Sequence, residues 1–179
     1  MGKSDISFDF LSRFLIIRVL FLDDEFYMIR CMQRADLKVI VELEQCVQSH
    51  PWTMKQFEES LESYQCTVIE LEQQVVGFCI LQPVLDEANL LLMAISPIHQ
   101  GKGLGFQLLQ QSIHQLKNNP IQIFLEVRES NQAAIALYEK AEFHQIDLRK
   151  NYYPVAGGTR EHAVIMVRTC SDDFAALFK

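Results

Sequence analysis

The order in which apolar patterns succeed one another constrains this fold more than any other feature of the chain. In its middle, CTVIELE (66–72), VVGFCILQP (75–83) and DEANLLLMAIS (86–96) follow one another as three strand-like runs, the first two flanking Gln73 and Gln74 as a hairpin. Ahead of them FYMIRC (26–31) reads as a strand. ADLKVIVELEQCVQ (35–48) carries Leu37, Ile40, Val41, Leu43 and Val47 at helical spacing. SHPWT breaks that helix, and Thr53 with Gln56 fits a capping box that opens a second one, MKQFEESLE. Behind the three strands come a glycine-rich loop, a helix to about Asn118 stopped by Pro120, and the strand IQIFLEVR (121–128). An alanine-rich helix, NQAAIALYEKA, follows with Ser130 or Asn131 as its cap. The strands FHQIDLRK and HAVIMVR, joined by the loop NYYPVAGGTRE, close the series. A doubly wound α/β sheet alternates strand and helix more strictly, so this order predicts an α+β fold with a mixed sheet.

Composition excludes more than it assigns. The formal net charge of −7 argues against nonspecific affinity for nucleic acid or an anionic membrane and suits a cationic partner. The five cysteines are widely spaced and form no C-x-x-C pair, so they read as buried free thiols in a reducing, cytoplasmic compartment. The five histidines form no metal-ligand motif and read as structural or surface residues, so no metal is expected. FLSRFLIIRVLFL (10–22) falls short of the ~20 residues of a membrane span, is interrupted by Arg13 and Arg18, and leads into LDDEF rather than small residues. Residues 1–27 are therefore expected to be an appendage or the product of an upstream start codon, residues 28–168 the domain proper, and 169–179 a tail.

The glycine-rich stretch HQGKGLGFQLLQ (99–110) raises the question of function. A P-loop needs Ser or Thr after its Gly-Lys pair, and Gly103 stands there instead. A dinucleotide fingerprint needs a third glycine where Phe106 or Leu108 stands. What survives is a turn that brings successive N–H groups to an anion at the start of a helix, a geometry suited to pyrophosphate. For the loop alone, a plain strand-to-helix turn is an equal reading.

The surroundings narrow this. Gln100, Gly103 and Gly105, spaced Q-x-x-G-x-G in this element order, resemble the acetyl-CoA pyrophosphate loop of the GCN5-related N-acetyltransferases (GNAT). PW (51–52), VLDEA (84–88), AISP (94–97), LEVRESNQAAIALYEKAEF (125–143), RKNYYP (149–154) and HAVIM (162–166) together resemble the RimI-type branch of that superfamily. The resemblance implies a mostly antiparallel mixed sheet of about six or seven strands flanked by about four helices. It also implies acetyl transfer from acetyl-CoA to a protein N-terminus, that of the alanine at the start of the eighteenth small-subunit ribosomal protein. A small-amine acetyltransferase, or a non-catalytic acyl-CoA-binding module, are the alternatives.

Alternation in IQIFLEVR puts Glu126 opposite the apolar face of Ile121, Ile123, Leu125 and Val127. By residue type alone it is a solvated strand glutamate; the resemblance makes it the general base that deprotonates the amine. Tyr138 shares a helix face with Ile135 and reads equally as a core tyrosine; the resemblance makes it the acid that meets the departing thiolate. Asn131 is an N-cap by position and a cofactor contact by resemblance. Met93, Ala94 and Ile95 match the segment whose backbone holds the pantetheine arm, with an N–H near Ile95 for the thioester oxygen. Gly101, Lys102, Gly103, Leu104, Gly105 and Phe106 match the pyrophosphate cradle, and Phe106 replaces a basic residue common there, so a weak salt dependence is expected. Trp52, Tyr152, Tyr153 and Pro154 are candidates to wall an acceptor groove, with Asp86, Glu87 or Glu161 to meet basic side chains.

Overall fold

The computed structural model describes residues 18–22, 25–155 and 157–170. Expectations for residues 1–17 and for most of the tail, from 171 on, lie outside the described residues. The chain forms two compact units, one comprising the residues up to Ile80 with Met93–Ser112, the other Leu81–Leu92 with the residues from Ile113 on.

The first unit contains strands β1 (Arg18–Leu22), β2 (Glu25–Cys31), β3 (Gln65–Leu71) and most of β4 (Gln74–Val84), in that order across the sheet. β1 pairs antiparallel with β2, and β2 with β3. β1 lies inside the segment expected to be an appendage and adds a strand to the six or seven anticipated. Helices α1 (Leu37–Val47), α2 (Met54–Ser63) and most of α3 (Leu104–His114) belong to the same unit. α2 opens as its sequence predicts: the Gln56 N–H donates to Thr53 Oγ1 at 3.4 Å and the Thr53 N–H to Gln56 Oε1 at 2.9 Å. The β3–β4 hairpin turns on Glu72 and Gln73, both at positive φ (47° and 67°), the twist a two-residue hairpin loop requires. Apolar side chains of β2, β3, β4, α1, α2 and α3 are buried in the core, where the Phe57 ring stands edge-on to Phe78 at 5.6 Å. Near the sheet edge Arg30 bridges Asp36, at 2.7 Å, and Glu70. Burial alone would raise the Asp36 carboxyl, but the guanidinium and the Gln33 N–H hold it below its ordinary range.

The second unit holds the end of β4, most of β5 (Glu87–Ile95), β6 (Gln122–Arg128), β7 (His144–Pro154) and β8 (Arg160–Thr169), ordered β4-β5-β6-β8-β7, with helix α4 (Gln132–Lys140). β5 and β6 are parallel, whereas β6–β8 and β8–β7 are antiparallel. The mixed, mostly antiparallel sheet and the four α-helices match the expected class among the described residues.

Three local expectations need correction. α3 ends at His114, not near Asn118, because the Asn118 side chain is drawn to the β4–β5 turn, where its Nδ2 donates to Leu85 O (3.0 Å) and Glu87 O (2.8 Å). NYYP is not loop but the end of β7: Arg160 donates to the carbonyls of Asn151 and Tyr152, and a register shift between Arg149 and Tyr153 absorbs Asn151 at φ 51°. Of the five thiols only Cys66 and Cys79 are buried, since Cys31, Cys46 and Cys170 stand where strands and helices meet solvent.

Candidate active site

On the first unit, the end of β5 and the loop after it are built around close approach. Gly77 on β4 has no room for a side chain, because a Cβ there would lie 2.8 Å from Ala94 O and 2.4 Å from Ile95 Cδ1. The Ser96 N–H donates to Val76 O at 2.7 Å, tying β5 to β4 just past Ile95. Gln100, the first residue of the glycine motif, donates through Nε2 to Ile95 O at 2.9 Å and so fixes the loop to the strand it leaves. The register joining β5 to β6 ends at Leu90↔Leu125, so Met93, Ala94 and Ile95 lie beyond that ladder.

Gly101 and Gly103 adopt φ of 77° and 79°, a conformation glycine enters without steric cost. A Cβ on Gly101 would meet nothing within 4 Å, so backbone conformation and not crowding selects glycine there, and the space over the loop is open. The Gln107 N–H donates to Gly103 O at 3.2 Å, which makes Gly103 the cap of α3. The N–H groups of Leu104 and Gly105 open that helix, where no intrahelical acceptor exists. Gly101, Lys102 and Gly103 are exposed, Leu104 and Gly105 buried, and Phe106 half-buried. An exposed glycine turn, open above Gly101 and leading into the positive end of a helix dipole, suits a phosphate-like anion. Trp52 is half-buried and packs on Phe57 at 5.5 Å, so its ring extends the core cluster of Phe57 and Phe78.

On the second unit, β6 alternates as expected. Ile123, Leu125 and Val127 are buried while Gln122, Phe124, Glu126 and Arg128 are half-buried on the other face. Glu126 Oε1 forms an ion pair with Arg149, 2.7 Å from its Nη1. Arg128 Nη1 lies 2.5 Å from Glu161 Oε1, and its guanidinium carbon 4.4 Å from the centroid of the Tyr153 ring. Ser130 and Arg128 together hold the Glu161 carboxyl below its ordinary range, so Glu161 is committed within the protein instead of waiting for a basic partner. Asp86 and Glu87 are exposed. The Tyr153 hydroxyl donates to Glu126 O at 3.4 Å. Burial, reinforced by the charge of Glu126, pushes that phenol up to about 12, so it stays protonated at neutral pH.

Tyr138 is half-buried near the end of α4, where the chain terminates in a Schellman motif. The Phe143 N–H donates to Tyr138 O and the Glu142 N–H to Glu139 O, each at 3.0 Å, with Glu142 at φ 67°. The Phe143 ring packs on the Tyr138 ring at 5.9 Å, the hydrophobic contact that accompanies this cap. Asn131 caps the other end, its Oδ1 accepting from the Ala134 N–H at 3.1 Å. α4 thus fixes two candidate residues by its two termini.

Arg149 and Arg128 are the site residues that the sequence did not single out. Alternation along β6 places Arg128 on the face of Glu126. Arg149 carries no such signal, because its link to Glu126 depends on the pairing of β7 with β8. Among the described residues no cluster of three or more His, Cys, Asp or Glu could hold a metal ion, and no helix is long and apolar enough to cross a membrane.

Residues 37–143 match the model of the acetyltransferase (GNAT) family. The chain is 43% identical over 137 residues to the [ribosomal protein bS18]-alanine N-acetyltransferase of Haemophilus influenzae, covering 75% of this chain and 93% of that one. It is 39% identical over 140 residues to the Escherichia coli enzyme of the same name, covering 77% and 94%. The crystal structure of the ribosomal-protein-S18-alanine N-acetyltransferase from Escherichia coli superposes with a TM-score of 0.75, over 81% of this chain and 94% of that one.

Proposed function

Because the chain belongs to the acetyltransferase (GNAT) family, we propose that it transfers the acetyl group of acetyl-CoA to the N-terminal α-amine of a protein, the N-terminal alanine of ribosomal protein bS18. The observation that carries this reading is the identity of 43% and 39% to two enzymes named for that alanine, sustained over 93% and 94% of their lengths. A cytoplasmic location goes with it, and a catalytic domain of residues 28–168, preceded by a segment, 1–27, from which β1 and the first residues of β2 join the sheet, and followed by a tail, 169–179.

Acetyl-CoA supplies an acyl group already activated as a thioester. In this reading the backbone of Gly101, Lys102, Gly103, Leu104, Gly105 and Phe106 binds its diphosphate, and the backbone of Met93, Ala94 and Ile95 binds the pantetheine arm. Asn131 adds a polar contact from the head of α4. The Ile95 N–H is the donor for the thioester oxygen as charge develops there.

The acceptor's chemistry sets the remaining roles. An α-ammonium has a pKa of about 8, so at neutral pH most of it lacks the lone pair that attack requires. Glu126 is the general base that removes the proton, directly or through water. Its half-exposed position on a polar sheet face supports this role, since a proton taken up there can return to solvent. Tyr138 is the acid for the departing thiolate, with its ring orientation set by Phe143. Trp52, Tyr152 and Tyr153 contribute walls for the acceptor peptide.

The test is acetyl-CoA turnover against short peptides: one beginning Ala-Arg, one with a blocked terminus, and one whose sole amine is an internal lysine. Only the first is expected to be acetylated, and acetylation of the lysine peptide alone overturns the reading. Glu126→Gln is expected to lower turnover by about 10²-fold or more, as loss of a general base does, with acetyl-CoA affinity unchanged. Wild-type turnover by this variant from pH 6 to 9 sinks the base assignment.

A further inference from the structure

A carboxylate that takes a proton from an incoming ammonium has to accept that cation, yet here a cation already stands against it. Arg149 Nη1 lies 2.7 Å from Glu126 Oε1, although their strands are not neighbours: β6 pairs with β8, and β8 with β7. The arginine must therefore reach across a strand. Register explains how it does so, since Glu126 stands opposite Ile165 while Arg128 and Arg149 both stand opposite Ala163. Alanine has nothing beyond Cβ to block a long side chain crossing above it.

The same guanidinium lies over the Tyr152 ring, 4.9 Å from its centroid, and that ring is held edge-on to Tyr153 at 5.0 Å. One carboxylate and one aromatic face thus make a seat for one cation. Its neighbour on this face is a second set of the same composition, in which Arg128 has its own carboxylate, Glu161, and its own ring, Tyr153. The two sets differ in accessibility. Arg128 and Glu161 expose 22% and 19% of their side chains, whereas Arg149 and Glu126 expose 49% and 31%. An exposed ion pair gains little over its separated, hydrated partners and exchanges readily; the Arg128 pair is the fixed one and the Arg149 pair the displaceable one.

We propose that Arg149 is a placeholder for the acceptor's α-ammonium: it occupies Glu126 until an N-terminal amine replaces it, so that acceptor binding is an exchange of cations on one carboxylate. The proposal rests on the reading of Glu126 as the base of an N-terminal acetyltransferase and makes Arg149 a specificity-determining positioning residue. A compact ammonium can take the carboxylate while the displaced guanidinium stays on the Tyr152 ring, because its stem is flexible and its planar head stacks. A blocked or neutral terminus brings no charge to exchange and is refused at binding.

Two measurements test this. Arg149→Met keeps the stem and removes the competing charge, and is expected to lower the acceptor KM about two- to fivefold, the range an exposed ion pair supports, with kcat little changed. Arg149→Lys, which keeps the charge, is expected to stay near the wild-type KM. An unchanged or raised KM in Arg149→Met overturns the proposal. In the second measurement, ethylguanidine is titrated into Arg149→Ala and tyrosine ring signals are followed by NMR. Saturable binding in that variant, absent from wild type and from Glu126→Gln/Arg149→Ala, supports the seat; no binding to Arg149→Ala overturns it. If no peptide is acetylated by any form, the functional reading fails, and the ethylguanidine titration alone still decides whether the seat exists.

Discussion

Gly77→Ala tests how tightly the first unit holds the strand end assigned to the cofactor. The new Cβ would lie 2.8 Å from Ala94 O, so a backbone carbonyl must retreat by about 0.6 Å to reach the 3.4 Å of ordinary contact. It would also lie 2.4 Å from Ile95 Cδ1 and 3.0 Å from Ile69 Cγ2. The isoleucine methyl can rotate away; the carbonyl moves only if β5 moves. Overpacking of this kind costs about 1–3 kcal/mol, against which the entropy gained by replacing a strand glycine returns about 0.5–1 kcal/mol. A net loss of about 1–2 kcal/mol is expected from urea unfolding followed by circular dichroism, which in a protein of this size lowers Tm by about 2–8 °C. Ile95→Val removes the clashing methyl, so the double variant is expected to be more stable than the sum of the single changes, with a coupling of about 0.5–1.5 kcal/mol. Acetyl-CoA affinity, measured by calorimetry, is expected to fall in Gly77→Ala. A variant as stable as wild type, with unchanged affinity, refutes the claim that Ala94 and Ile95 are held by this approach.

Other residues give independent tests. Glu44 on α1 is fully buried; burial pushes its pKa from 4.5 up to about 7, with the backbone N–H of Trp52 acting in the opposite direction. The folded state therefore holds this proton more tightly than the unfolded chain. The resulting stability is full below pH 4.5 and is lost as pH rises through 7, at up to about 1.4 kcal/mol per pH unit. Glu44→Gln is expected to gain about 2–3 kcal/mol on wild type between pH 5 and 8 in urea midpoints, and a pH-independent difference refutes the assignment. Burial raises the Cys66 and Cys79 thiols to about 11 and 12, whereas Cys31, Cys46 and Cys170 are exposed. A disulfide reagent at pH 8 is expected to titrate three thiols quickly and the other two only after unfolding; four or five fast thiols contradict the fold around β3 and β4.

The division between what could be read from the sequence and what could not follows the range of the interactions. The capping box of Thr53 and Gln56, the cap at Asn131 and the alternation along β6 each depend on residues within one turn or one strand, so residue type and spacing suffice to find them. Gln100 is an intermediate case: its position in the motif was visible, but its bond to Ile95 O needed the 3-10 turn of Pro97–His99 to bring five residues back on themselves. The extension of β7 through Tyr153 and Pro154 was not visible, because NYYP carries turn residues and is drawn into the strand by Arg160 from the next one. Gly77 reads in sequence as a weak point in a strand, and only the packing of Ala94 and Ile95 against it makes it a requirement. Arg149 lies furthest from view. Its partner Glu126 is on another strand and the strand between them comes later in the chain than both, so their contact exists only through two registers and the small side chain of Ala163. The residues most readily named from pattern are therefore those that act on the substrate one at a time. The residue inferred to control access to the base is one that only tertiary pairing brings to it.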